Sequence, residues 1–180
     1  MFQMFYPAEY PDSAYQIDFK RLYEEGYRGV IFDIDNTLVA HGAPADARAK
    51  RLFASLKKMG YECCLLSNNK EPRVRTFNEQ IQVNYIFKAH KPRTANYKKA
   101  MRLMGTDRGN TLFVGDQIFT DIWGANRAGI RTFLVKPIDP KEEIQIVLKR
   151  YPEKLILYFY KRRLKKQKPD RGIRSSNRHR

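Results

Sequence analysis

Five short apolar runs, separated by stretches of helical periodicity, constrain this chain more than any other feature in it. The runs fall at residues 29–34, 61–66, 85–87, 111–114 and 132–135. Between them, residues 45–59, 71–81, 93–104 and 119–128 space their apolar side chains as helices do. Gly60, Gly105 and Gly129 stand as stops, and Pro72 near a start. Short strands divided by helices predict βαβ units, and so a central parallel sheet with helices on both faces. The expected class is a three-layer, Rossmann-like α/β fold. In such sheets ligands bind beyond the C-terminal ends of the strands, at a switch point in strand order.

The polar residues that close the runs are the candidate chemistry. Asp33-Ile34-Asp35-Asn36-Thr37-Leu38 ends the first, Ser67-Asn68-Asn69 follows the second, Lys91 the third, and Asp116 closes the fourth with Asp121 five residues on. Two carboxylates kept close repel unless a cation or a shared proton holds them. Asp33 and Asp35 therefore read as metal ligands, as catalytic acids, or as a surface turn or helix cap. Ser67-Asn68-Asn69 by itself is turn chemistry, Lys91 by itself a solvated lysine, and Asn36 and Thr37 shape the turn. A parallel sheet would project all of these groups from one edge.

Taken together and in order, Asp33 to Leu38, Ser67-Asn68-Asn69, His90-Lys91-Pro92 and Gly115-Asp116-Gln117 to Thr120-Asp121 resemble the four motifs of the haloacid dehalogenase (HAD) superfamily. Residues 17–32 and 115–126 more narrowly resemble the YqeG-like phosphatases of subfamily IIIA, which are similar to phosphatidylglycerophosphate phosphatases. The resemblance spans roughly residues 5 to 165. It implies Asp33 as nucleophile, forming an aspartyl-phosphate, and Asp35 as general acid and then base. It implies a metal site on Asp33, Asp116 and the Asp35 backbone carbonyl. Asp121 would bind the metal or orient one of its waters. Oxygen ligands and an anionic substrate favour Mg²⁺ there. Ser67 and Asn68 would meet the phosphate, and Lys91 would neutralise the transferring group and Asp33. The intervals between the motifs leave no room for an inserted cap domain. An open site with a minimal or absent cap is therefore expected, suited to bulky substrates.

Composition sets the remaining bounds. At 180 residues the chain suits one domain with an appendage. No apolar stretch approaches the ~20 residues of a spanning helix, and the apolar start at residues 1–6 lacks the basic flank of a secretory signal. Cys63 and Cys64, adjacent in an apolar run, read as core thiols of a cytoplasmic protein. His41, His90 and His179 are scattered and suggest no ligand set, and Trp123 reads as packing. The net charge is +16, and residues 161–180 hold ten Lys or Arg against one Asp, a net of +9. Such a tail favours polyanions. The organisation expected is a catalytic domain over 1–150, a basic amphipathic helix over 151–167 preceded by Pro152, and a disordered basic tail over 168–180.

The leading expectation is a Mg²⁺-dependent phosphomonoesterase, with phosphatidylglycerophosphate as the substrate the resemblance implies. Its basic C-terminus would meet an anionic membrane surface or RNA. The alternative is an RNA- or ribosome-associated binding protein, with a nucleic-acid-end phosphatase between the two.

Overall fold

In the computed structural model, residues 2–139 and 144–167 are described. Five parallel strands form the centre: β1 Gly29–Phe32, β2 Glu62–Leu66, β3 Asn84–Ile86, β4 Thr111–Gly115 and β5 Arg131–Leu134. Their order is β3-β2-β1-β4-β5. The chain therefore builds outward from β1 to β3, then returns to the other side of β1 for β4. That reversal puts the switch point between the C-terminal ends of β1 and β4. The register aligns Phe32 with Val114, so Asp33 and Asp116 leave neighbouring strands at nearly the same level.

Among the described residues six α-helices flank the sheet: α1 Phe19–Glu24, α2 Ala47–Met59, α3 Glu71–Asn78, α4 Ala95–Met104, α5 Trp123–Arg127 and α6 Ile144–Gln167. Side chains alternate across each strand. Val30 and Phe32 face a core made with Phe19, Leu22, Phe53, Leu56, Val74 and Phe77 of α1, α2 and α3. Ile31, between them in sequence, faces Tyr97, Met101 and Met104 of α4 and Ala125 next to it. The three layers follow from this two-sided apolar demand. Asp46 caps α2 by accepting from Ala49 N at 2.7 Å, and Gly60 closes it in the left-handed conformation (φ 92°). Cys63 and Cys64 are free and buried, and burial pushes the Cys64 thiol up to about 12.

The expected strands and helices are present, with ends shifted by a few residues. The stretch expected as one helix over 119–128 is instead a π-helical turn, Ile118–Ile122, running into α5. The N-terminal segment also has a place in the sheet. Ala8 N donates to Thr132 O at 3.0 Å and Leu134 N to Glu9 O at 3.0 Å, which covers the outer edge of β5. Neither the β1–β2 interval, which holds α2, nor the β2–β3 interval, which holds α3, contains an inserted domain.

Helix α6 starts at Ile144 and carries Pro152 within it rather than before it. Over residues 152–165 its apolar side chains divide between buried and exposed positions. Ile156 is buried against Ile118, Ile122 and Leu134, and Tyr160 packs on Tyr6. Leu155, Tyr158, Phe159 and Leu164 are exposed large side chains. Glu153 is buried, and its carboxylate accepts from Ile118 N at 2.8 Å, the first amide of the π-helical turn. No described helix is long and apolar enough to cross a membrane. Residues 168–180, expected as a basic tail, lie outside the described residues.

The buried Glu153 contact makes α6 part of the support for that turn. Glu153→Ala removes the acceptor and leaves a buried N–H without it, which should cost about 1–3 kcal/mol in urea unfolding. Glu153→Gln keeps a carbonyl acceptor and should recover most of the loss. Equal stability of Glu153→Ala and wild type would refute the role.

Candidate active site

Asp33 leaves β1 with its amide still bonded to Val114 O of β4, at 2.9 Å. The chain then turns sharply. Asn36 adopts a left-handed conformation (φ 62°), Asn36 N donates to Val39 O at 2.7 Å, and Thr37 and Leu38 amides return to Ile34 O. The turn sends the carboxylates of Asp33 and Asp35 to different partners. The Thr37 hydroxyl lies over the inner end, 3.3 Å from Asp33 Oδ2 and 3.4 Å from Asp116 Oδ1.

Lys91 reaches the same point from the segment after β3. Its ammonium is 2.5 Å from Asp33 Oδ1 and 2.7 Å from Asp121 Oδ1, with only 3% of the side chain exposed. Asn68 fixes this segment from both sides. It accepts from Lys91 N at 2.7 Å and donates to Lys91 O at 3.3 Å. The Lys91-Pro92 peptide is cis. Ser67 is buried, and its Oγ accepts from Asn69 N at 3.1 Å, so its O–H remains a donor.

Asp121 sits in the π-helical turn, a distortion that recurs at functional sites. Its Oδ2 accepts from Gln117 N at 3.1 Å. Two local features admit it. A Cβ on Gly115 would lie 2.6 Å from Asp121 Oδ2, so this position has to be glycine. A Cβ on Gly124 would lie 2.5 Å from the Tyr97 hydroxyl, which donates to Thr120 O at 2.9 Å and to Asp121 O at 3.2 Å. Helix α4 thereby holds the turn through Tyr97.

Asp33, Asp116 and Asp121 are all buried, and each offers a carboxylate oxygen within 4.8 Å of the others. Among the described residues, these three acids crowd around the ammonium of Lys91, which pairs with Asp33 and Asp121, in a poorly solvated place. Burial, opposed by Lys91 and reinforced by Asp121 and Asp35, pushes Asp33 up to about 7. Burial also works against the charge on Lys91, but Asp121 and Asp33 outweigh it and hold the ammonium above its ordinary range. Asp121 Oδ1 is buried, with the Lys91 ammonium 2.7 Å from it. An all-oxygen donor set of three buried carboxylates, each offering an oxygen within 4.8 Å of the others, fits a hard divalent cation.

Asp35 stands apart from this trio. Its Oδ1 accepts from Arg73 Nη2 at 2.9 Å and from Gly42 N at 2.7 Å, and its Oδ2 accepts from Asn69 Nδ2 at 2.6 Å. The structure thus brings Asp33, Lys91, Asp116 and Asp121 into contact, sets Ser67 and Asn68 beside them, and gives Asp35 a separate cation. Sequence reasoning missed Arg73. A signal was present: Arg73 lies in the first turn of α3, where the helix dipole disfavours a cation unless an acid faces it.

Known proteins resemble this chain in sequence and fold. A family model described as HAD-hydrolase-like matches residues 88–137. The chain is 34% identical over 162 residues to "Probable phosphatase YqeG" of Bacillus subtilis (strain 168), covering 89% of this chain and 94% of that protein. It is 28% identical over 166 residues to phosphatidylglycerophosphate phosphatase 1, chloroplastic/mitochondrial, of Arabidopsis thaliana, covering 83% of this chain and 45% of the relative. Among solved structures, one from Legionella pneumophila described as a HAD superfamily (subfamily III A) hydrolase superposes with a TM-score of 0.52 at 14% identity. That match covers 67% of this chain and 72% of the other and is a likeness of fold.

The raised Asp33 carboxyl has a consequence for stability. A group whose folded value lies above its unfolded 3.8 stabilises the fold fully below 3.8. It loses that contribution as pH rises through about 7. In EDTA, Asp33→Asn should therefore gain stability relative to wild type between pH 5 and pH 8, read by urea unfolding. A gap that is constant with pH would contradict this.

Proposed function

The chain belongs to the HAD-like phosphatases, among the YqeG-like proteins, and from that premise we propose a Mg²⁺-dependent phosphomonoesterase that works through phospho-Asp33 on phosphatidylglycerophosphate. The observation that carries the reading is the buried pairing of Asp33 with Lys91, beside Asp116 and Asp121. In the first step an Asp33 carboxylate oxygen attacks phosphorus and the ester P–O bond breaks. Asp35 gives its proton to the departing alkoxide. In the second step Asp35 takes a proton from water, the water oxygen attacks phosphorus, and the bond to Asp33 breaks to release inorganic phosphate. Lys91 and the Ser67 hydroxyl meet the non-bridging oxygens as charge builds on them. Asn68 acts by holding Lys91 in place. Mg²⁺, held by Asp33, Asp116, Asp121 and the Asp35 backbone carbonyl, would offset the repulsion between the attacking carboxylate and the phosphate.

The lipid substrate has three supports. One Arabidopsis relative bears the name of that activity. The crevice lacks an inserted cap, so a phosphate on a bulky carrier can reach Asp33. Helix α6 exposes Leu155, Tyr158, Phe159 and Leu164 among the exposed cations Lys154, Lys161, Arg162, Arg163 and Lys165. Aromatic and aliphatic groups flanked by cations suit the surface of an anionic bilayer, reached from the cytoplasm. The same cations would attract RNA, but Leu155 and Leu164 have no stacking role on a base.

Phosphate release tests the reading. With Mg²⁺, hydrolysis should be fastest on phosphatidylglycerophosphate in a panel that includes phosphosugars, nucleotides and 5′-phosphorylated oligonucleotides. Asp33→Asn should lower turnover by about a thousandfold or more. Asp35→Asn should slow both steps and leave phospho-Asp33 in acid-quenched samples when nitrophenol is the leaving group. Wild-type release by Asp33→Asn would sink the mechanism. A preference for oligonucleotides would move the substrate to nucleic-acid ends.

A further inference from the structure

The segment between β3 and Lys91 carries a feature that phosphoryl transfer does not use. Of the four non-glycine residues with positive φ, two lie here within three positions, Lys88 (φ 44°) and His90 (φ 51°). Left-handed backbone is unfavourable for a residue with a Cβ, and lysine is not among the types that tolerate it. Glycine would relieve the strain at either position. The conformation is imposed by the phosphate-binding loop: Lys88 N donates to Asn69 O at 2.8 Å, and Ala89 N to Ser67 O at 2.9 Å. Arg93 N closes the far side on His90 O at 2.9 Å.

The side chains kept at this cost point one way chemically. Lys88, His90 and Arg93 line a cleft of about 450 Å³ together with Pro92, and that cleft also reaches Asn68 and Lys91 of the phosphate site. All three are exposed. Among the described residues none of them pairs with a carboxylate, whereas Arg21, Arg131 and Lys136 near the opposite edge of the sheet do. Lys88 and His90 on left-handed backbone, with Arg93 beside them, present two cations and an imidazole that pair with no carboxylate among the described residues, and form a place for a second anion beside the reacting centre. Local strain of this kind persists where a ligand site needs it.

We propose that Lys88, His90 and Arg93 form a subsite for a phosphodiester carried on the same molecule as the scissile phosphomonoester. This rests on the phosphatase reading and deepens it. The substrate would be a glycerol skeleton bearing a monoester at one end and a diester at the other. The monoester enters between Lys91 and Asp33, while the diester lies against Lys88 and Arg93. The subsite then selects by charge at the headgroup, independently of the acyl chains.

The test uses two soluble substrates with Mg²⁺: glycerol 3-phosphate, which has only the monoester, and the deacylated headgroup glycerophosphoglycerol phosphate, which has both. Lys88→Gly removes the charge and relieves the backbone, so thermal unfolding should occur no lower than in wild type. Its KM for the deacylated headgroup should rise roughly fivefold, the top of the range for an exposed charge pair. Its KM for glycerol 3-phosphate and its kcat on both should stay within twofold of wild type. Lys88→Gln, which keeps the Cβ, should give the same kinetic split without the gain in stability. Equal KM changes on both substrates, or none on either, would overturn the subsite. Phosphate release from neither substrate by wild type would instead strike the phosphatase reading itself.

Discussion

Charge that cannot be solvated is the constraint on which the rest of this structure depends. Asp33, Asp116 and Asp121 meet beyond the ends of β1 and β4, where water is scarce and the Lys91 ammonium sits against Asp33 and Asp121. Poor screening raises the cost of every unbalanced charge. Each nearby element can be understood as fixing that geometry. The strand order sets Asp33 beside Asp116. Asn68 grips the Lys91 backbone, Gly115 leaves room for Asp121, and Tyr97 and Glu153 hold the turn that carries it.

The second acid of the first motif is treated differently, and the difference makes a division of labour. Asp33 is buried with Lys91, while Asp35 is turned to Arg73, Asn69 and the Gly42 amide. Two residues apart in sequence, they answer to separate cations. In the proposed chemistry this separation would keep the attacking carboxylate and the proton carrier from coupling their protonation. Under that proposal the Arg73 contact would orient Asp35 as the proton carrier.

The periodic parts of the fold were legible in the sequence because burial dictates them. Val30, Ile31 and Phe32 needed apolar neighbours on both faces, and two layers of helices are what the chain offers. The site was legible wherever a residue type sits at a strand end, as with Asp33, Lys91 and Asp116. It was not legible where a contact depends on side-chain reach between elements. Arg73 finding Asp35, Thr37 turning toward Asp116, and Glu153 capping the π-helical turn across 35 residues leave no periodic trace. Residues 119–128 looked like an ordinary helix because its apolar spacing is ordinary. The extra residue that makes the π turn serves Asp121, and its only trace was Gly115 and Gly124, whose close packing is tertiary.

The proposed chemistry depends on one divalent cation binding among Asp33, Asp116 and Asp121. Calorimetric titration of Mg²⁺ into the cation-free protein should give a single site per chain. Binding near pH 6.5 should release protons, because Asp33, pushed up to about 7, must ionise to bind. Asp116→Asn should abolish that binding while the fold survives. Absence of Mg²⁺ binding in wild type, or binding unchanged in Asp116→Asn, would contradict the account.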